Sequence, residues 1–194
     1  MVNKTRLSDD LGELKMPNMC QNILYITGKK EDLEDFASKS EDGKFTLSTY
    51  HPFDEKSDWD YGIWCAEHWG TKWDVTTEID AVMVAENSPE HPTDVSKTTE
   101  LVIKPEREDS WGDTIGPEIE LSFDTPWGSP IKAITKIAKD YPKLNFSIYY
   151  FEAGHWFAGV SKFKNGREVY SIEYHGEQLT LETAQDYGFN SIYY

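Results

Sequence analysis

Apolar and polar positions along the chain divide it into readable elements at both ends and an unreadable middle. Residues 1–15 are polar without a period and read as an extension. Ile23-Leu24-Tyr25-Ile26-Thr27 is a β-rich apolar run closed by Gly28, which predicts a strand. Lys29 to Ser40 carries Leu33, Phe36 and Ala37 at i, i+3 and i+4, with acidic residues in the first turns. That pattern predicts a short helix with one apolar stripe and a favourably charged N-terminus. From Phe45 to Asp74 aromatics are dense but keep no period. Glu78–Ala85 and Thr99–Ile103 are short strand candidates, and Pro105–Pro117, charged and broken by Gly and Pro, predicts a loop. Glu118–Phe123 alternates as a strand does.

Ser129-Pro130 predicts a helix start, with serine as N-cap and proline in the first turn. Ile131, Ile134, Ile137, Ala138 and Tyr141 then recur at helical spacing until Pro142. Leu144–Phe151 is a strand with Leu144, Phe146, Ile148 and Tyr150 on one face. Trp156–Phe163 and Glu168–Tyr174 form a hairpin around Asn165-Gly166, a pair suited to two consecutive positive φ angles. Leu179–Tyr187 predicts a terminal helix. Two strand–helix–strand units around one antiparallel sheet give an α+β, ferredoxin-like fold. The expected organisation is an extension over 1–15 and one domain over 16–194, interrupted at about 45–117 by an aromatic-rich insertion.

The composition adds a charge argument. Thirty-five acidic against nineteen basic residues give a net charge of −16. Such a surface repels phosphate backbones, so direct nucleic-acid binding is not expected. It serves solubility, or it presents carboxylates as a nucleic-acid mimic. Seven Trp and eleven Tyr supply large buried areas to an otherwise polar chain. No run reaches the roughly 20 apolar residues of a membrane span, and two cysteines make no disulfide framework. A reduced, cytoplasmic protein is expected, with no membrane and no cofactor.

Four short motifs resemble one family. Met16-Pro17-Asn18-Met19-Cys20-Gln21-Asn22, Trp69-Gly70-Thr71-Lys72-Trp73-Asp74, Phe123-Asp124-Thr125-Pro126-Trp127 with Pro130, and Tyr150-Phe151-Glu152-Ala153-Gly154 with Phe157-Ala158-Gly159 are similar to the signatures of the Api92-like proteins of phages and plasmids. The resemblance implies a ferredoxin-like domain, a bacterial host cell and no defined activity. Met19 stands where that family usually has Trp, and its members tend to begin at the residue matching Met16. Gly12-Glu13, encoded by GGN-GAR, can spell a purine-rich ribosome-binding sequence, so Met16 is expected to serve as the natural or an internal start.

Chemistry-bearing residues are sparse. Cys65-x-x-His68 has metal-ligand spacing but lacks a second pair, so zinc is not expected. Neither Cys20 nor Cys65 shows an orienting carboxylate at a recognisable spacing, and no catalytic residue is assigned. Glu152 and His155 flank a turn, where a carboxylate either does acid–base work or holds backbone N–H groups. Trp69, Lys72 and Trp73 suggest a rigid corner with Lys72 across an indole face, a contact of about 0.5–1 kcal/mol when exposed. The candidate binding residues are therefore Trp69, Lys72, Trp73, Trp127, Glu152 and His155. The expected function is an acidic, non-enzymatic accessory protein that binds a host protein, in counter-defence or host takeover. The alternatives are a nucleic-acid mimic and a small-ligand binder or enzyme using the Trp69–Trp73 corner.

Overall fold

The computed structural model describes residues 18–40, 42–55, 59–75, 99–108 and 114–180. The elements are β1 (Met19–Thr27), α1 (Lys30–Ala37), α2 (Leu47–Tyr50), α3 (Tyr61–His68), β2 (Ile103–Lys104), β3 (Arg107–Glu108) and β4 (Thr114–Ile115), then β5 (Glu118–Pro126), α4 (Ile131–Asp140), β6 (Asn145–Glu152), β7 (Phe157–Lys164) and β8 (Arg167–His175). One sheet runs in the order β2-β5-β1-β6-β7-β8, and β3 pairs with β4 as a separate ribbon. β1 is antiparallel to both β5 and β6. The unit β5–α4–β6 therefore splits around β1, and β1–α1–β2 splits around β5. This is the ferredoxin-like α+β arrangement, extended past β6 by a hairpin.

Register explains which side chains are buried. Cys20, Asn22, Leu24 and Ile26 alternate onto the helix-side face of β1, opposite Thr125, Phe123, Leu121 and Ile119 of β5. On the other side the same residues meet Glu152, Tyr150, Ile148 and Phe146 of β6. The lower rows are apolar and carry the core with Leu33 and Phe36 of α1 and Ala133, Ile134, Ile137 and Ala138 of α4. Each fully buried Ile contributes about 1.5–3 kcal/mol. The upper rows are polar: Asn22, Thr125 and Glu152 are buried there. A smaller cluster of Phe151, Ala158 and Leu179 lies on the far face, where a 3-10 turn over Gly176–Gln178 precedes Leu179.

Several expectations meet the structure directly. The aromatic block folds into α2 and α3, short helices whose starts are capped by Thr46 and Asp60 side chains. The stretch expected as a loop over 105–117 contains the β3–β4 ribbon, tied to the sheet where the Arg107 guanidinium donates to Glu118 at 2.6 Å. Ser129 does not cap α4 through its side chain. Its backbone carbonyl accepts from Ile131 N at 2.8 Å, and Pro130 takes the cap position. Asn165 and Gly166 both have positive φ, 54° and 72°, as the hairpin requires. The strand candidate at 78–85 and most of the terminal helix expected at 179–187 lie outside the described residues.

Candidate functional site

The Trp69–Asp74 segment is the seam between insertion and sheet. Trp69 is fully buried, and its indole N–H donates to the His51 carbonyl at 2.8 Å. Its own carbonyl accepts from Ala133 N, at 3.3 Å, in the first turn of α4. The Thr71 hydroxyl donates to the Pro126 carbonyl at 2.9 Å, at the end of β5. Gly70 lies so close to Ser129 that an added Cβ would stand 3.2 Å from that carbonyl oxygen. Asp74 closes the seam by accepting from Leu47 N and Ser48 N, which fixes the first turn of α2. Trp69 is thus structural. Trp73 is half-buried and lies outside the stack that its neighbour makes.

That stack is the contact of interest. The Lys72 ammonium lies 4.4 Å from the ring centroid of Trp127, which follows β5. The sequence expectation of a lysine across an indole is met, but by a tryptophan from another motif. Trp127 is 51% exposed and has φ 67°. A bulky residue in the left-handed region costs of order 1–3 kcal/mol and persists only where its surroundings over-determine it. Here the Trp127 N–H donates to the Asn18 carbonyl at 2.8 Å, and the Thr125 hydroxyl donates to the Gly128 carbonyl at 2.8 Å. The backbone is clamped on both sides of an indole that stays half in solvent.

Glu152 and His155 sit at the same end of the sheet, across β1. Glu152 is fully buried. One carboxylate oxygen accepts from Gly154 N at 2.8 Å, and the other accepts from His155 N and faces His155 Nδ1 at 3.1 Å. The carboxylate therefore clamps the β6–β7 turn and aims an exposed imidazole outward. Asn18 joins the two halves: it binds Trp127 through its carbonyl, and its amide packs against Gly154. Because β5 and β6 flank β1, the Trp127 side and the Glu152 side stand about 10 Å apart.

The thiols are not activated. Burial, then the carboxylates of Glu152, Asp124 and Glu173, push the Cys20 thiol well above its ordinary pKa. Burial pushes Cys65 up as well, with Asp74 and Asp60 adding to it against a hydrogen bond from Tyr61. A nucleophilic or metal-binding cysteine needs the opposite shift. His68 stacks on Trp64 at 4.2 Å, with Nδ1 2.9 Å from the Trp64 carbonyl. Among the described residues no group of three His, Cys, Asp or Glu side chains could hold a metal ion.

Sequence reasoning missed the surface beside Lys72. An added Cβ at Gly62 of α3 would stand 3.6 Å from Lys72 Cγ, so this helix borders the Lys72–Trp127 stack. Around it Trp59, Tyr61 and Ile63 are exposed by 50%, 45% and 60%. No period in the sequence marks these residues as outward-facing. For Ile63 the burial of Trp64 and Cys65 on the other side of α3 does so, whereas Tyr61 lies on the Cys65 side with its ring edge-on to Trp69 at 6.2 Å.

Residues 105–190 match the family described as the ferredoxin-like domain in Api92-like protein. The match contains Trp127, Glu152 and His155 but not the Trp69–Asp74 segment. The crystal structure of a protein api92 from Yersinia pseudotuberculosis is similar with a TM-score of 0.41 and 10% identity, over 84% of this chain and 100% of that chain. No curated protein sequence matches the chain. No helix among the described residues is long and apolar enough to cross a membrane.

Proposed function

We propose that this chain, which carries the ferredoxin-like domain of Api92-like proteins, is a non-enzymatic accessory protein of a phage or plasmid that binds a host protein in the bacterial cytoplasm. Counter-defence or host takeover is the use that fits such a protein. In this reading residues 16–194 act as one domain, and the insertion at about 45–117 supplies half of the binding surface.

The observation that carries the proposal is Trp127. A half-exposed indole on a left-handed backbone, roofed by Lys72, costs stability and buries little, so its use lies outside the fold. Tryptophan is also the residue type that most often dominates a protein–protein contact. Glu152 supports a binding role over acid–base work, because its oxygens are spent on turn N–H groups. Mimicry of nucleic acid is disfavoured by the pairing of Lys30, Lys104, Arg107, Lys132, Lys136 and Lys143 with carboxylates on several elements, which mixes the signs of charge.

The test is an affinity capture from nuclease-treated bacterial lysate, comparing the full chain with its Trp127→Ala variant. Proteins held by the parent and lost by the variant are expected. A host protein held equally by both, or none held by either, would overturn the reading.

A further inference from the structure

β8 stands last in the sheet, and no strand among the described residues pairs with its outer side. The opposite edge is β2, two residues long and ending on Lys104. Short edges and lysines are how sheets discourage pairing with other chains. β8 instead runs for nine residues, Arg167–His175, with neither lysine nor proline. A register shift between Lys162 and Phe163 sets Val169 out of line and leaves Tyr170–His175 as the regular stretch. Hydrogen bonding alternates along it. Gly176 N donates to the Trp156 carbonyl at 2.9 Å, so two and four residues back Tyr174 and Ile172 also turn their main-chain N–H and C=O groups toward β7. Ser171, Glu173 and His175 turn theirs outward. The side chains alternate too. Tyr170, Ile172 and Tyr174 share the face away from the helices with Lys162, Val160 and Ala158, while Ser171 and Glu173 share the helix side with Ser161 and Gly159.

We infer that β8 pairs antiparallel with β8 of a second copy of this chain, centred on Ile172, to form a twofold dimer with one continuous sheet. The strand is complementary to itself in this register. Ile172 meets Ile172 of the second copy, and Tyr170 meets Tyr174 on either side of it, so the facing pairs away from the helices are aliphatic or aromatic. On the helix side Ser171 faces Glu173, and these two exchange both main-chain hydrogen bonds because both turn outward. A shift of two residues one way sets Glu173 against Glu173, a like-charge pair. A shift of two the other way sets Tyr174 against Glu168 and Glu173 against the displaced Val169. A shift of one residue turns the tyrosine face of one copy to the helix side of the other. A contact of this symmetry closes on itself as a dimer and does not propagate into a fibre. β5, which leads into Trp127, lies four strand spacings from β8, about 19 Å. Pairing therefore leaves Trp127 open, and the inference stands apart from the reading of that residue.

Sedimentation of the full chain over a concentration series is expected to rise from 22.4 kDa to twice that mass. Tyr170 is 49% exposed, so Tyr170→Lys keeps the fold, checked by circular dichroism, and sets a charge beside Tyr174 twice in the dimer. It is expected to weaken association about tenfold. Ile172→Cys places two thiols at a non-hydrogen-bonded pair, with Cα atoms about 4.5 Å apart, and a mild oxidant is expected to link them. Tyr170→Cys and Tyr174→Cys are expected to link when mixed and not when oxidised separately. Cys20 and Cys65 are buried, so the parent gives no such product. A chain that stays at 22.4 kDa at every concentration, a dimer unchanged by Tyr170→Lys, or failure of Ile172→Cys to link overturns the inference. Amides of β8 protected from hydrogen exchange only when a captured host protein is bound would put a foreign strand on this edge and overturn it as well.

Discussion

At the scale of the residue, Trp127 concentrates the argument. Its neighbours hold it where glycine would sit more comfortably. Replacement by glycine removes the indole and the strain together, whereas alanine removes the indole and keeps the strain. Trp127→Gly is therefore expected to be more stable than Trp127→Ala by about 1 kcal/mol, measured by urea unfolding of the two variants side by side. Stability against the parent changes less, because the lost Lys72 contact of about 0.5–1 kcal/mol offsets part of the relieved strain. The lysine–indole contact was foreseeable from Lys72 standing among tryptophans. Its partner was not, because a residue in the insertion and one after β5 meet only when the seam closes.

At the scale of the element, the β6–β7–β8 meander shows how a motif becomes geometry. Tyr150 on β6 lies opposite Gly159 on β7, which lies opposite Glu173 on β8. The Tyr150 ring crosses over the glycine, and its hydroxyl donates to Glu173 at 2.7 Å. An added Cβ at Gly159 would collide with that hydroxyl and stand 2.6 Å from the Ile172 carbonyl oxygen. Backbone cannot move aside as a flexible side chain can. Gly159→Ala is expected to cost about 2–3 kcal/mol and to free the tyrosine, read as a lower urea midpoint and a sharpened tyrosine absorbance shift on raising pH. Burial, followed by the bond to Glu173, raises the Tyr150 pKa in the folded protein. The alternation that placed Phe146, Ile148 and Tyr150 on one face was readable in the sequence. The crossing was not, since it depends on the register of three strands.

At the scale of the whole molecule, the aromatic block closes around His51 within reach of the charges of α4. The His51 carbonyl takes the Trp69 indole N–H, and its ring contacts Trp64 and His68. Burial first, then the positive Lys136 and the neighbouring His68, hold its imidazole below the ordinary histidine pKa, against an opposing pull from Asp140. The folded state therefore resists a proton that the unfolded chain accepts near pH 6.5. The stability that His51 contributes is complete above that pH and is lost as pH falls through it toward the folded value. The parent should lose stability between about pH 7 and pH 5 more steeply than His51→Gln does, measured as urea midpoints across that range. Equal slopes would show that the packing of the aromatic block does not depend on this ring.

The sequence alone determined the elements whose periods are local: the strands over β1, β5 and β6, the apolar stripes of α1 and α4, and the Asn165-Gly166 turn. These follow from side-chain alternation, helical spacing and backbone sterics, none of which needs a distant partner. It also determined the α+β ferredoxin-like class, because two strand–helix–strand units have few ways to close one antiparallel sheet. Tertiary structure decided which aromatics are core and which are surface. Trp69 is buried by its bond to His51 and by its fit under α4, while Trp127 is turned outward by clamps from Asn18 and Thr125. It decided that Glu152 is fully buried, since β1 and β7 close on either side of it only when the sheet forms. The exposure of Ile63 likewise follows only once α3 has buried Trp64 and Cys65 on its other side. Composition and spacing carry no information about which face of a short helix a neighbour will cover.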